Sequence, residues 1–120
     1  MSLPLVLGIG LCGAVGALAR VLLDGVVSAR AGSIFPWGTL VVNLTGAFVL
    51  GFVTGKLSGT VLILVGTGLL GGYTTFSTWM LESHRLGEDG RLRLGWANVL
   101  VSLALGLACV WLGDQIGGGL

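Results

Sequence analysis

Four long stretches without a charged side chain constrain this chain more than any other feature. No Asp, Glu, Lys, Arg or His occurs in residues 1–19, 31–55, 57–81 or 94–113. Each stretch reaches the roughly 17–25 residues that an apolar helix needs to cross the hydrocarbon core of a bilayer. The sequence therefore predicts an all-α membrane protein with four transmembrane helices. We place these helices at Leu3–Leu23, Gly38–Gly55, Gly59–Glu82 and Leu94–Gly113.

Composition limits the class of protein. Mean hydropathy is +1.02 and 9% of the residues are charged, values that are typical of integral membrane proteins. The 120 residues leave room for one domain, so we treat 1–120 as a single transmembrane domain of a multi-pass protein. Six basic and five acidic residues nearly balance, and this gives no reason to expect a nucleic-acid partner.

Glycine is unusually frequent, at 23 of 120 residues. In membrane helices, small residues four positions apart let two backbones approach closely where no hydrophobic effect drives association. Three such pairs are Gly51 and Gly55, Gly68 and Gly72, and Ser102 and Gly106. Because four helices enclose little interior by themselves, we expect self-association or pairing with a related chain.

The third apolar stretch contains an unusual run, Gly-Gly-Tyr-Thr-Thr-Phe-Ser-Thr-Trp, at residues 71–79. Two adjacent glycines and four serine or threonine side chains are unfavourable in a helix that faces lipid. A break in a membrane helix frees backbone polar groups, which is tolerated only against protein or a water-filled cavity. We therefore predict that the third helix is broken at the glycines and resumes after them. We also expect this segment to contact a polar species within the membrane.

Most polar side chains inside the predicted membrane helices are uncharged. Asn43 lies one turn after Thr39, so these two side chains share a helix face. Phe76 and Trp79 lie three residues apart in the third helix. Electropositive ring edges, hydroxyls and an amide would offer an anion many weak donors and no fixed charge to trap it. The same spacing also fits packing of the rings and helix association through Asn43, so the residues alone leave both interpretations open.

Other function classes have weaker support. No catalytic constellation is present, and the single histidine, His84, lies in a charged linker, so we do not expect an enzyme. A proton-coupled drug antiporter would need a buried carboxylate. Glu82, which closes the third helix and would share a face with Thr74 and Thr78, is the acid to consider. We retain this antiporter as an alternative.

The whole chain resembles the Fluc family of bacterial fluoride channels, which are also described as camphor-resistance-type small membrane proteins. The resemblance rests on three motifs, one in each of the first three helices. They are Gly13-Ala14-x-Gly16-Ala17-x-x-Arg20, Gly38-Thr39-Leu40-Val41-x-Asn43 and Gly71-Gly72-x-Thr74-Thr75-Phe76-Ser77-Thr78. The resemblance implies a passive, fluoride-selective channel subunit that exports fluoride across the cell (inner) membrane.

The family also implies an architecture and residue roles. Two antiparallel four-helix subunits would form a dimer with two narrow pores between them. The pore and fluoride-binding residues would be Asn43, Phe76 and Trp79, with Ser77, Thr78, Glu82 and Thr39 beside them. The backbone carbonyls of Gly71 and Thr74 would hold a structural sodium ion (Na+) on the dimer axis, and Arg20 would lie at a vestibule or brace the fold.

One residue departs from the family pattern. Where the family usually has a second phenylalanine, this chain has Trp79, whose indole is larger and carries an N–H donor. Trp79 would line the pore, narrow it or close it, and the sequence does not distinguish these outcomes.

The basic residues are distributed unevenly over the linkers. The first and third linkers hold Arg30, Arg85, Arg91 and Arg93, whereas the second holds only Lys56. Basic residues tend to stay on the cytoplasmic side, so this pattern favours one orientation with both termini outside. The partner would then be an oppositely oriented paralogue, with this chain as one half of the heterodimer or as an accessory subunit. A homodimer of chains inserted in both orientations (dual topology) is the other arrangement.

Overall fold

The computed structural model describes residues 1–119 and contains four apolar spans. The first, second and fourth spans are the helices α1 (Leu3–Ala31), α2 (Trp37–Thr54) and α6 (Leu92–Gly119). The third span comprises α3 (Gly59–Leu62), a π-helical segment (Ile63–Leu70), α4 (Gly71–Tyr73) and, after a short break, α5 (Ser77–Glu88). Within the described residues there is no strand, so the prediction of an all-α protein with four spans and a broken third helix is confirmed.

The first and fourth helices are longer than the charge-free stretches predicted. Helix α1 starts at a Ser2 cap, whose hydroxyl accepts from the Leu5 amide at 3.3 Å, and continues eight residues past the predicted end at Leu23 to Ala31. Within this extension Ser28 donates to the carboxylate of Asp24, one turn earlier, at 3.1 Å. A charge-free stretch thus marks the apolar part of a helix and not its ends.

Two of the three small-residue pairs mediate close helix contacts. A Cβ atom on Gly72 would overlap the carbonyl oxygen of Gly13 on α1, and one on Gly68 would lie 2.9 Å from the Cβ atom of Cys12. On α2, a Cβ atom on Gly51 would overlap the carbonyl oxygen of Val110 on α6. These glycines therefore allow α1 to pack on the third span and α2 to pack on α6.

The third pair does not mediate such a contact within the described chain. A Cβ atom on Gly106 would meet nothing within 4 Å. Ser102, although buried, uses its hydroxyl in a hydrogen bond to the Asn98 side chain. The prediction of a helix contact at Ser102 and Gly106 is thus not confirmed inside the subunit.

The break in the third span lies within the run 71–79, just after the two glycines. Gly71 has helical backbone angles (φ −62°, ψ −38°), and α4 continues through Tyr73. The extended conformation begins at Thr74 (φ −80°, ψ 159°), and the helix resumes at Ser77. The predicted break is therefore present in the run 71–79, but the glycines do not adopt the unusual backbone conformation, and the missing side chain of Gly72 instead allows close approach to α1.

The subunit buries few large side chains. Within the described residues, the buried hydrophobic side chains are Leu40, Val42, Leu70 and Leu86. Many other leucines and valines of the four spans are exposed, as expected for helices that contact lipid or a second subunit. The interior of the chain thus rests on few large apolar side chains, together with the close glycine contacts between helices.

Candidate ion pathway

The helix break is held by a side-chain amide from the second span. Asn43 Nδ2 donates to the carbonyl oxygen of Thr75, and the Thr75 amide donates to Asn43 Oδ1, both at 2.8 Å. One side chain thereby satisfies both backbone polar groups of a residue outside the helical ladder. This arrangement explains how the break is tolerated in an apolar span.

The Thr75 side chain also starts the next helix. Its Oγ1 accepts from the Thr78 amide at 3.2 Å and lies 3.1 Å from Thr78 Oγ1. Threonine is among the side chains preferred for capping the free amides at a helix start. Thr75 was not among the predicted site residues. The preference for threonine before a helix was a local signal for it, but the contact with Asn43 was not visible in the sequence.

The carbonyl groups of Gly71 and Thr74 are among those at the break that have lost their usual helical partners. In a continuous helix the Thr75 amide would donate to Gly71 O, but it donates to Asn43 instead. Likewise the Thr78 amide would donate to Thr74 O, but it donates to the Thr75 hydroxyl. These carbonyls belong to Gly71 and Thr74, the two residues predicted as sodium ligands, and backbone carbonyls are ligands that can replace the hydration shell of a monovalent cation.

An open groove of about 390 Å³ lies along the break. Its polar side chains come from Asn43, Thr74, Thr75 and Ser102, and the remainder is Gly71 and other glycines, Ala47, leucines, Phe76 and Trp79. No charged side chain is among these lining residues. The Phe76 ring is 70% exposed and stands perpendicular to Trp79, with ring centroids 5.6 Å apart.

Trp79 is hydrogen-bonded to the fourth span. Its indole Nε1 donates to the backbone carbonyl of Asn98 at 3.0 Å. The Asn98 side chain is 1% exposed, donates to Ser83 Oγ at 2.8 Å and accepts from Ser102 Oγ at 3.3 Å. Asn98 was not predicted as a site residue, although an amide side chain within a charge-free stretch is itself a signal of helix association.

The remaining predicted residues do not line the groove. Thr39 is 3% exposed, and its hydroxyl lies beside the carboxylate of Glu82, close to the charge of Asp24. Glu82 Oε1 and Arg20 Nε are buried without a hydrogen-bond partner in the described chain. Ser77 and Thr78 lie in the first turn of α5 and do not contribute to the groove lining. The structure therefore brings together Asn43, Phe76, Trp79, Gly71 and Thr74, and places Thr39 and Glu82 in a separate polar cluster.

A comparison with protein families identifies the chain. The family model described as "CrcB-like protein, Camphor Resistance (CrcB)" matches residues 7–114. The chain belongs to the CrcB-like family. This finding confirms the resemblance drawn from the three sequence motifs.

Individual relatives in this family are similar over nearly their whole length. "Fluoride-specific ion channel FluC 2" of Mycolicibacterium paratuberculosis is 52% identical over 91% of this chain and 90% of the relative. FluC 2 of Mycobacterium tuberculosis is 47% identical over 97% of this chain and 93% of the relative. FluC 1 of Symbiobacterium thermophilum is 42% identical over 92% of this chain and 95% of the relative.

Proposed function

We propose that this CrcB-like chain is a subunit of a passive, fluoride-selective channel that exports fluoride from the bacterial cytoplasm across the inner membrane. The carrying observation is its similarity over nearly the full chain to relatives named fluoride-specific ion channels. Those names describe ion channels rather than enzymes, in agreement with the expectation from the sequence. The four membrane spans fit a multi-pass channel subunit.

The chemistry of the groove supports an anion pathway. Phe76 presents an exposed ring, and aromatic ring edges are electropositive. The Asn43 amide has a second N–H beyond the one that donates to Thr75, and hydroxyls lie nearby. Conduction requires binding that is favourable enough for entry and weak enough for release. A neutral lining with several weak donors meets this requirement.

The open shape of the groove favours a two-subunit pore. One subunit supplies only one wall, and Phe76 stands exposed on it. A second subunit in the antiparallel orientation would close the groove and contribute its own aromatic residues. We therefore assign the groove to the dimer interface and the pathway to the space between two subunits.

A sodium ion at the break belongs to this proposal. The carbonyls of Gly71 and Thr74 are available because their helical donors bond elsewhere. Two subunits would supply four such oxygens to one ion. Replacing sodium by N-methyl-D-glucamine should lower both the thermal stability of the purified dimer and its fluoride flux. Equal stability and flux in the two cations would argue against a sodium site.

An accessory role beside a paralogue is the second candidate. Relatives carry the numbers 1 and 2 in their names, and the basic residues of the linkers favour a single orientation. This chain would then complete a heterodimer with an oppositely oriented paralogue. Reporters for each side of the membrane, fused to the C-terminus, test the orientation. Equal signals from both sides would contradict a fixed orientation and favour the homodimer.

A proton-coupled antiporter has less support from the site. No Asp or Glu is among the residues that line the groove, and Glu82 lies in the separate cluster with Thr39. Uptake of a cationic drug into vesicles, driven by a pH gradient, would be the observation that favours this alternative.

The decisive test is efflux from liposomes that contain only this chain. A fluoride electrode should record fast fluoride loss after addition of a potassium ionophore, whereas chloride-loaded liposomes should retain their ion. Selective fluoride loss would establish a self-sufficient homodimeric channel. No fluoride loss from folded protein, followed by flux on co-reconstitution with a paralogue, would establish the heterodimer. No flux in either preparation would overturn the proposal.

A further inference from the structure

Trp79 does not offer its polar atom to the groove. The indole N–H donates to the backbone carbonyl oxygen of Asn98 at 3.0 Å. Tryptophan has a single N–H and no other donor, so a bond within the subunit leaves none for an ion. Trp79 lines the groove, so what it can offer there is the apolar surface of its ring.

A closed ring of hydrogen bonds fixes this arrangement. Asn98 Nδ2 donates to Ser83 Oγ at 2.8 Å, and Ser83 Oγ donates to the Trp79 carbonyl at 2.8 Å. Trp79 Nε1 then donates to Asn98 O and closes the ring. The ring connects α5 and α6 at the level of the tryptophan. Because the Asn98 side chain is 1% exposed, its bonds compete little with water.

Trp79, which belongs to this hydrogen-bonded ring, also makes a perpendicular contact with Phe76. The two planes meet at 89° with centroids 5.6 Å apart, within the range of edge-to-face aromatic pairs. Phe76 is 70% exposed and has few neighbours in the subunit to fix it. A rotation of Trp79 would therefore change both aromatic surfaces of the groove.

We infer that Asn98 is a positioning residue for the ion pathway, which acts by fixing Trp79 with its N–H turned away from the groove and its ring against Phe76. This inference rests on the proposed channel function for its consequence in transport. Its geometric part is the claim that the hydrogen bond of the Trp79 indole depends on Asn98, and this claim can be tested without measuring transport. Trp79 then serves as an aromatic wall, much as a phenylalanine would, and is not a fluoride donor.

The geometric content is tested by NMR of the purified protein with ¹⁵N-labelled tryptophan. The Trp79→Phe variant assigns the indole signal of Trp79 by its disappearance. Neither Asn98→Leu nor the milder Ser83→Ala removes the backbone carbonyl that accepts from the indole, but each removes a side-chain hydrogen bond of the ring that holds Trp79 against α6. The indole bond should therefore open more often, and exchange of the Trp79 indole proton with D₂O should accelerate about fivefold, the factor that corresponds to the loss of one typical net hydrogen bond. The indole of Trp111, which is 61% exposed and far along α6, is the internal control and should not change.

The transport content is tested by a double-mutant cycle of fluoride flux in liposomes. Asn98→Leu should lower flux about fivefold in the wild-type background. In the Trp79→Phe background the same substitution should change flux less than about twofold, because no indole remains to be positioned. A merely structural Asn98 would lower flux by the same factor in both backgrounds.

The outcomes separate this inference from the proposed function. Indole exchange unaffected by both Asn98→Leu and Ser83→Ala would overturn the positioning role, whatever the flux. Equal flux losses in the two backgrounds would overturn it as well. Altered indole exchange in a protein that carries no fluoride, alone or with a paralogue, would support the geometry and contradict the channel proposal instead.

Discussion

The Asn43 side chain pairs with both backbone polar groups of Thr75, through two hydrogen bonds of 2.8 Å. The two residues belong to different spans, and the pairing replaces what the helical ladder would otherwise supply. The course of the chain through the break therefore depends on the second span. Thr74 and Phe76 flank the paired residue along the chain and line the groove, so we expect their placement to depend on Asn43 as well.

The first prediction concerns the donor half of this pairing. In Asn43→Asp, a carboxylate still accepts from the Thr75 amide but no longer donates to the Thr75 carbonyl. An unpaired, partly buried acceptor costs about 1–3 kcal/mol, and the new negative charge faces an anion pathway. We expect a lower unfolding temperature in detergent and strongly reduced fluoride flux in liposomes.

A threonine elsewhere on α2 gives the matched control for Asn43. The Thr54 hydroxyl donates only to Gly51 O of its own helix, and the residue is exposed. Thr54→Val should leave both the unfolding temperature and the flux close to wild type. Wild-type behaviour of Asn43→Asp in both measurements would contradict the role of the pairing.

The second prediction concerns the cap at the start of α5. Thr75→Val removes the oxygen that accepts from the Thr78 amide, which should destabilise the subunit by about 1 kcal/mol. Thr75→Ser keeps the hydroxyl and is the matched control, with stability near that of wild type. Unfolding monitored by circular dichroism measures both. If the valine and serine variants unfolded together, the capping role would be excluded.

Hydropathy was sufficient to predict the number of spans but not the position of the break. The four charge-free stretches identify spans because charge is excluded from hydrocarbon. Glycines in a membrane helix, however, serve either a break or a close helix contact, and both look alike in sequence. Gly72 turned out to serve the contact with Gly13, while the break begins at Thr74.

The candidate site was predictable only where its residues lie in a local motif. Phe76 and Asn43 were found through the motifs around them. The pairing of Asn43 with Thr75 joins positions 32 residues apart, and that of Trp79 with Asn98 joins positions 19 apart. Contacts of this kind depend on how the spans pack, so the single sequence could not identify the partners of Thr75 or Asn98.

The third prediction concerns the exposed aromatic ring. Phe76→Ile keeps an apolar side chain but removes the ring edge that would stabilise an anion. Because Phe76 is 70% exposed, its replacement by isoleucine leaves no cavity in the core of the subunit. We expect reduced fluoride efflux from liposomes with little change in the stability of the subunit.

Trp111→Ile is the matched control for Phe76. Trp111 is also exposed, at 61%, but does not line the groove. Its substitution should leave fluoride efflux unchanged. Equal efflux from Phe76→Ile and wild type would remove Phe76 from the pathway.

The fourth prediction concerns the packing of α1 on the third span. In Gly72→Ala the new methyl group would overlap the Gly13 carbonyl, so the helices must separate just before the break. Overpacking of this kind costs about 1–3 kcal/mol, and the shift should also disturb Thr74 and the groove. Gly10→Ala on α1 is the control, because its Cβ atom would meet nothing within 4 Å. Thermal unfolding in detergent and fluoride efflux should both fall for Gly72→Ala and stay unchanged for Gly10→Ala. Equal loss in the two variants would instead indicate a general intolerance of α1 and the third span to added side chains.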